Sequence, residues 1–184
     1  MHPVANQRAV FLDRDGVLNA VVMRDGKPAS PRSLEEFVLE PGVEAVLAQL
    51  RRAGLLLFVV TNQPDISRGL MSSAALDAMH HVLRERLPIA DVACCCHDTA
   101  QNCGCRKPKP GMLLDLAARW RVSLPESVMV GDQDRDMACG RTAGCSTIQL
   151  ARPYNIGEGA QHRVADLAAA AAIILQQGGI RLAA

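Results

Sequence analysis

The chain has 184 residues, which is enough to bury a substantial core and is about the size of one domain. Its formal net charge is only +1, and it has no long Lys/Arg-rich block, which argues against a nucleic-acid partner. No apolar run is long enough to span a bilayer, and the first residues lack the pattern of a secretory signal. We therefore expect a single domain over residues 1–184, cytoplasmic and monomeric, with no membrane partner.

The first elements in chain order are a buried strand, a helix and a second buried strand. Residues 9–12 are all apolar and precede Asp-Arg-Asp-Gly, which predicts a strand that ends at Asp13. The segment 20–40 is predicted to be a loop or short hairpin over that strand's end. Apolar residues recur at helical spacing over 42–53, and the apolar run 55–60 predicts a central parallel strand.

The rest of the chain continues the alternation of helices and strands. Its predicted elements are a helix at 72–87 with His80 and His81 on its surface, a strand at 91–96, a helix at 111–120, a strand at 128–130, a helix at 134–143 and a strand at 146–150. Such alternation favours parallel pairing with right-handed crossovers. The predicted fold class is therefore α/β, a three-layer, doubly wound, mostly parallel sheet without a separate cap domain.

Polar side chains follow three of the predicted strands and open one of the helices. They are Asp13 and Asp15, Thr61 and Asn62, Asp132 and Asp136, and the basic pair Arg106 and Lys107. Ligands of an open parallel sheet bind beyond the carboxyl ends of its strands, so we expect these groups to converge. Carboxylates that meet repel each other unless a cation joins them, and hard oxygen ligands suit Mg²⁺. Asp13 and Asp132 are the predicted side-chain ligands of Mg²⁺.

This set of groups is suited to phosphoryl transfer. Mg²⁺ and Lys107 would neutralise a phosphate, and Thr61 would donate a hydrogen bond to it. A carboxylate can attack phosphorus and form an aspartyl-phosphate, and we assign that role to Asp13. Asp15 lies two residues later, where it could protonate the leaving oxygen and then deprotonate water. Read singly, the motifs could also be a turn, a loop and a helix cap, and Arg14, Arg68 and Arg106 could be solvated surface charges.

Four motifs in order resemble the haloacid dehalogenase (HAD) superfamily. They are FLDRDG at 11–16, VTNQ at 60–63, RKP at 106–108, and GD at 131–132 followed by Asp136. The resemblance implies that Asp13 is the nucleophile, and that Asp15 is the acid/base and also a magnesium ligand through its backbone carbonyl. It further implies that Thr61 and Lys107 hold the phosphoryl group, that Asp132 completes the metal ligands, and that Asp136 orients Lys107 or a metal-bound water.

A second group of metal-binding residues lies just before the RKP motif. Its paired spacing offers four soft or borderline ligands, enough for a closed tetrahedral zinc site: Cys95, His97, Cys103 and Cys105. We expect one structural Zn²⁺, which would fix the direction of Lys107. The alternative is that these thiols are buried small hydrophobes or reactive surface cysteines. Cys94 and Cys96 stay open, because only one side of a strand can face the metal.

Within the superfamily, a zinc loop before RKP resembles the group of histidinol-phosphate and heptose 1,7-bisphosphate phosphatases. That resemblance implies a small phosphorylated sugar as substrate, bound by short loops at Asn19, Asn62, Gln63, Arg68 and Arg106. A heptose bisphosphate is the first choice, with Arg106 on its second phosphate. Another sugar phosphate or histidinol phosphate is the alternative. A phosphomutase, a phosphotransferase and a zinc-stabilised binding module without turnover also remain as hypotheses.

Overall fold

The structure is a computed structural model that describes residues 7–155, 157 and 159–179. Its strands are β1 (Ala9–Leu12), β2 (Val22–Arg24), β3 (Lys27–Ala29), β4 (Leu56–Asn62), β5 (Asp91–Cys95), β6 (Val128–Gly131), β7 (Ser146–Leu150) and β8 (His162–Val164). Within the described residues, six of them form one parallel sheet in the order β5-β4-β1-β6-β7-β8. The remaining two, β2 and β3, form an antiparallel hairpin, as predicted for this segment.

The helices cover both faces of the parallel sheet. They are α1 (Val43–Arg52), α2 (Ser73–Arg86), α3 (Gly111–Trp120), α4 (Asp134–Ala143) and α5 (Leu167–Gly179). One apolar core contains residues of α1, α2 and α5, and the other contains residues of α3 and α4. The three-layer α/β prediction is confirmed. None of the described helices combines the length and the apolar character that a membrane crossing requires.

Strand β1 shows why the central runs are apolar at every position. Val10 and Leu12 lie in the core shared with α1, α2 and α5, whereas Ala9 and Phe11 lie in the core shared with α3 and α4. Successive side chains of a strand point to opposite faces, so a strand covered on both faces needs an apolar residue at each position. Phe11 also stacks on Phe58 of β4, with ring centroids 5.5 Å apart.

Two parts of the sequence prediction need correction. His80 is buried with 7% of its surface exposed, because it lies on the inner side of α2, whereas its neighbour His81 is on the surface as expected. Strand β8 was not predicted, since it has three residues and two of them are exposed. Its place at the sheet edge depends on pairing with β7, which local apolar periodicity does not indicate.

Candidate active site

The candidate active site forms where β1, β4 and β6 end side by side. Asp13 follows β1, and its backbone N–H donates to the carbonyl of Val130 on β6 at 2.9 Å. Thr61 lies near the end of β4 and Asp132 directly follows β6. Because β1 pairs with both β4 and β6, the polar groups that follow these strands are neighbours in space.

Lys107 joins two of the carboxylates and is itself almost fully buried. Its Nζ lies 2.8 Å from Asp13 Oδ1 and 2.7 Å from Asp136 Oδ1, and it donates to the carbonyl of Val60 at 2.8 Å. Asn62 holds the Lys107 backbone by donating to its carbonyl and accepting from its N–H. Burial alone would lower the pKa of Lys107, but Asp13 and Asp136 outweigh it and raise that pKa.

A third buried carboxylate, that of Asp132, lies close to the two that Lys107 contacts. Oxygen atoms of Asp13, Asp132 and Asp136 all lie within 4.8 Å of one another. Burial, followed by repulsion from Asp136, raises the pKa of Asp13 to about 8 and raises the pKa of Asp132 as well. Lys107 therefore keeps its proton while Asp13 ionises reluctantly, because one ammonium does not neutralise three carboxylates. Within the described residues, Asp132 Oδ1 is buried without a hydrogen-bond partner.

This donor set fits a divalent cation of the Mg²⁺ type. Hard carboxylate oxygens, surplus negative charge and an unpartnered buried oxygen are what such an ion would use. Asp136 is the least available of the three carboxylates, because it pairs with Lys107 and accepts the N–H of Gln133 at 3.0 Å, at the start of α4. Asp13 and Asp132 are therefore the better placed ligands.

Asp15 lies in a network of donors. Arg14 reaches its Oδ1 with Nε at 3.0 Å and Nη2 at 2.9 Å, and the other donors are Asn19 Nδ2 at 2.9 Å, Ser30 Oγ at 2.8 Å and Gln63 Nε2 at 2.8 Å. Burial opposes ionisation of Asp15, but Arg14 and these hydrogen bonds outweigh it and lower the pKa. The free protein thus holds Asp15 as a carboxylate.

The site opens into a pocket of about 400 Å³ that is rich in arginine. Its lining includes Asp13, Asp15, Asn62, Lys107 and Asp132, and the side chains of Arg24, Arg32, Arg68, Arg106 and Arg135. Asp65 also lines it and pairs with Arg32 at 2.7 Å and with Arg68 at 3.5 Å, and Arg68 contacts Asp98 too. Much of the positive charge of this pocket is therefore already paired inside the protein.

The residues predicted to contact substrate fall into two groups. Asn62, Arg68 and Arg106 line the pocket. Asn19 and Gln63 are fully buried, are not part of the pocket lining, and use their amide groups on Asp15 instead. This placement follows from the tight turn after β1, where the Gly16 N–H donates to the carbonyl of Asn19 at 2.7 Å and brings Asn19 back to Asp15.

Several residues of the site were missed at the sequence level. Arg14 was left open as a surface charge, yet it is fully buried, and its guanidinium lies 5.6 Å from the ring centre of Phe37. Ser30 and Tyr154 reach Asp15 and Asp132 from distant parts of the chain. The DRDG motif could have indicated that Arg14 is buried and paired, because Arg14 lies between two site carboxylates in the sequence. No local pattern marks Ser30 or Tyr154.

The four predicted zinc ligands lie together next to the active site. The sulfur of Cys105 lies 3.2 Å from that of Cys95, 3.4 Å from that of Cys103 and 3.3 Å from His97 Nδ1. Three sulfurs and one imidazole nitrogen at such distances form a donor set that suits tetrahedral Zn²⁺. The loop touches the pocket through Arg106, whose Nη1 donates to the His97 carbonyl at 3.1 Å.

Comparison with known proteins places this chain in a family. A HAD-hydrolase-like family model matches residues 104–173. The D-glycero-beta-D-manno-heptose-1,7-bisphosphate 7-phosphatase of Pseudomonas putida is 36% identical over 146 residues, covering 77% of this chain and 81% of that protein. The D-glycero-alpha-D-manno-heptose-1,7-bisphosphate 7-phosphatase of Mycobacterium tuberculosis is 35% identical over 156 residues, covering 79% and 80%.

Solved structures agree with these relatives. The structure of D,D-heptose 1,7-bisphosphate phosphatase from B. bronchiseptica, complexed with magnesium and phosphate, matches with a TM-score of 0.80 at 32% identity, covering 93% of this chain and 99% of that one. The corresponding phosphatase from Burkholderia thailandensis matches with a TM-score of 0.65 at 27% identity, covering 92% and 99%. The chain belongs to the HAD-like hydrolases and is similar over most of its length to heptose-1,7-bisphosphate 7-phosphatases.

Proposed function

We propose that this chain is a magnesium-dependent phosphatase that removes one phosphate from D-glycero-D-manno-heptose 1,7-bisphosphate through an aspartyl-phosphate intermediate. The observation that carries the proposal is that Asp13, beside Lys107 and close to Asp132, lines an arginine-rich pocket. The names of the relatives, and the magnesium and phosphate in one related structure, support the same activity.

Asp13 is the proposed nucleophile. Its Oδ1 is fixed by Lys107 and by the backbone N–H of Arg14 at 2.7 Å, while its Oδ2 accepts no hydrogen bond within the described residues. In the first half-reaction Asp13 attacks phosphorus, and the bond from phosphorus to the sugar oxygen breaks. In the second, water attacks the aspartyl-phosphate, which releases phosphate and regenerates Asp13.

Asp15 is the proposed acid in the first half-reaction and the base in the second. Its donors hold the free enzyme's Asp15 as a carboxylate, the form that accepts a proton from water. A phosphate dianion bound beside Asp13 would raise the pKa of Asp15 by repulsion, which favours the protonated form that the leaving oxygen needs. Asn19 and Gln63 contribute by orienting this carboxyl group.

The proposed ligands of Mg²⁺ are Asp13, Asp132 and the backbone carbonyl of Asp15. When bound there, Mg²⁺ would neutralise the surplus carboxylate charge and the charge of the phosphate. Lys107 and Thr61 would hold the phosphoryl group, with Asp136 fixing the ammonium of Lys107 at 2.7 Å.

Arg106, Arg68 and Asn62 are the proposed contacts for the rest of the substrate. Arg106 is the best candidate for the second phosphate, because it lines the pocket and its guanidinium contacts a carbonyl rather than a carboxylate. Arg68 is already engaged by Asp65 and Asp98, so we expect a weaker role for it. We also propose that the cysteine and histidine cluster holds one structural Zn²⁺.

The decisive experiment is phosphate release from a panel of esters, with and without Mg²⁺. The panel contains both anomers of the heptose bisphosphate, the matching heptose monophosphate and histidinol phosphate. We expect Mg²⁺-dependent release of one phosphate per heptose bisphosphate and much slower release from the others. Equal and slow rates on all esters would reject the heptose assignment. Transfer of phosphate to an acceptor other than water would indicate a phosphotransferase, and absence of turnover would indicate a binding module.

The proposal also includes a monomeric, cytoplasmic enzyme. Light scattering coupled to size-exclusion chromatography is expected to give a mass near the 19.7 kDa of the chain. A mass of twice that value would replace the monomer with a dimer.

A further inference from the structure

One carboxylate oxygen of Asp132 is held by two donors and the other is left without one. Tyr154 donates its hydroxyl hydrogen to Oδ2 at 2.7 Å, and Gln133 Nε2 donates to the same oxygen at 3.0 Å. In the part of the chain that the structure describes, Oδ1 has no partner and is buried. The two oxygens therefore differ in their availability to a cation: Oδ2 accepts hydrogen bonds from the protein, whereas Oδ1 can bind a metal ion.

The segment 152–155, which follows β7, is hydrogen-bonded to the loop after β1 and to the loop after β6, the two loops that carry the proposed magnesium ligands. Arg152 donates to the carbonyl of Gly16 with Nε at 3.0 Å and Nη2 at 2.8 Å. Asn155 Nδ2 donates to the carbonyl of Asp132 at 2.6 Å and to that of Leu150 at 2.9 Å. These bonds fix where Tyr154 stands relative to Asp132.

The close approach of Tyr154 depends on the glycine beside Asp15. A Cβ at Gly16 would lie 2.4 Å from Asp132 Oδ2 and 2.5 Å from the Tyr154 hydroxyl, and the φ of Gly16 is +82°. Both the backbone conformation and the available space therefore require glycine at this position. The turn after β1 leaves room for the hydrogen bond between Tyr154 and Asp132.

We infer that Tyr154 is a positioning residue for the magnesium site, which holds Asp132 Oδ2 so that Oδ1 is presented to the cation. This inference rests on the proposed function, in which Asp132 is a magnesium ligand. Donors that orient a ligating carboxylate contribute to metal affinity, and their removal commonly weakens binding by about 10- to 100-fold. The hydrogen bond from Gln133 to Oδ2 would remain after loss of the tyrosine hydroxyl, so we expect a loss of Mg²⁺ affinity at the lower end of that range.

The test is Mg²⁺ binding measured by calorimetry on the full chain with its zinc loop loaded. Tyr154→Phe removes the hydroxyl and keeps the ring, and we expect it to weaken Mg²⁺ binding about tenfold. Asp132→Asn should abolish binding. The matched control is Arg86→Met, because Arg86 is exposed at the end of α2 and pairs with Glu44 of α1, outside both the pocket lining and the segment 152–155. This control should bind Mg²⁺ as the parent does.

A spectroscopic readout is independent of turnover. Tyr154 is the only tyrosine in the chain, so the tyrosine band in an ultraviolet difference spectrum reports on this hydroxyl alone. We expect Mg²⁺ to shift that band in the parent protein and in Arg86→Met. In kinetics, Tyr154→Phe should need more Mg²⁺ for half-maximal rate while approaching the parent kcat at saturating Mg²⁺.

Three results would count against the inference, and they differ from one another. A Tyr154→Phe protein that melts at a lower temperature but binds Mg²⁺ as tightly as the parent would make the residue merely structural. An unchanged tyrosine band in a parent protein that does bind Mg²⁺ would reject the contact with the metal ligand. A parent protein that binds no Mg²⁺ would instead reject the proposed metal site, and the inference with it.

Discussion

Asp13 is surrounded by more negative than positive charge. Oxygen atoms of Asp132 and Asp136 lie within 4.8 Å of an Asp13 oxygen, and the ammonium of Lys107 contacts Asp13 and Asp136. Removing one carboxylate from such a group relieves repulsion, whereas removing the ammonium would leave buried carboxylates unpaired. The charge balance therefore makes Asp13 a site whose loss affects chemistry more than folding.

We predict that Asp13→Asn removes turnover and leaves the folded state intact. An amide does not attack phosphorus, so the rate of phosphate release should fall by at least about 10³-fold. Lys107 keeps its ion pair with Asp136, so the melting temperature of the metal-free protein should stay the same or rise. Phosphate release and thermal melting measure the two effects separately.

Asp115→Asn is the matched control for that variant. Asp115 is an exposed residue of α3 whose ion pair in the described part of the chain is with Arg119 at the surface, so its loss should change neither rate nor stability appreciably. Turnover by Asp13→Asn at the parent rate would remove Asp13 from the mechanism.

At the scale of elements, strand β5 assigns its cysteines to opposite sides. Cys95 is buried in the core with α3 and α4 and faces the other zinc ligands. Cys94 of β5 and Cys96, the residue after the strand, pack against the opposite core, with their sulfur atoms 3.7 Å apart. Cys94 and Cys96, which the sequence left open as ligands, therefore lie on the side of the sheet away from the proposed zinc site. The loop that follows ends at Arg106 and Lys107, so its geometry is coupled to the active site.

We predict that Cys105→Ser lowers the zinc content from one ion per chain to nearly none. Cys105 lies between the other three ligands, and a serine hydroxyl is a poor substitute for a thiolate at zinc. The melting temperature should fall, and phosphate release should fall with it, because the loop positions Lys107. Elemental analysis and thermal melting check these outcomes.

Cys96→Ser serves as the control for the zinc loop, since Cys96 is outside the ligand cluster. It should retain its zinc. Freshly purified, reduced parent protein without zinc would contradict the assignment of the loop.

Helix α2 buries a titratable side chain. His80 faces the core, and within the described residues its Nε2 has no hydrogen-bond partner. Burial, together with the nearby Arg14 and Arg84, lowers the pKa of His80 to about 4. In the unfolded chain the imidazole of His80 is protonated as pH falls through about 6.5, whereas in the folded chain it stays neutral until the pH approaches 4. The contribution of neutral His80 to the unfolding free energy is therefore fully present above pH 6.5 and is lost as pH falls toward 4.

We predict that His80→Gln removes part of the acid sensitivity of the fold. Between pH 6.5 and 5 the parent should lose roughly 2 kcal/mol of unfolding free energy through this residue, and the variant should not. His81→Gln is the control, because His81 lies on the surface of the same helix beside Glu85. Denaturant unfolding at several pH values gives the comparison. Parallel pH curves for the parent and His80→Gln would show that the buried histidine does not titrate in this way.

Over the whole molecule, the sequence predicted those features that each segment encodes locally. Apolar runs located five of the six strands of the parallel sheet, all except β8, and the rule that strand ends share an edge brought Asp13, Thr61 and Asp132 together. Contacts between distant loops carry no such signal. Ser30 reaches Asp15 from the β2–β3 region, and Tyr154 reaches Asp132 from beyond β7. These contacts depend on how loops fold over a finished sheet.

Magnesium should stabilise the whole molecule, because its proposed ligands come together only in the folded state. A cation present at about 100 times its dissociation constant adds about 2.7 kcal/mol to the unfolding free energy. For a chain of this length, such a gain should raise the melting temperature by roughly 5 to 10 °C. Asp132→Asn should abolish the increase.

The size of this stabilisation should depend on pH in a defined direction. Burial and then Asp136 raise the pKa of Asp13 from the ordinary 3.8 to about 8, so the folded, metal-free protein binds a proton that the unfolded chain releases. The unfolding free energy of the metal-free protein should therefore fall as pH rises from about 4 to about 8. Over the same range the proton on Asp13 competes less and less with Mg²⁺ for the carboxylate. We predict a larger Mg²⁺-induced increase in melting temperature at pH 8 than at pH 6, measured by calorimetry. An equal increase at both values would mean that Asp13 is already ionised without the metal.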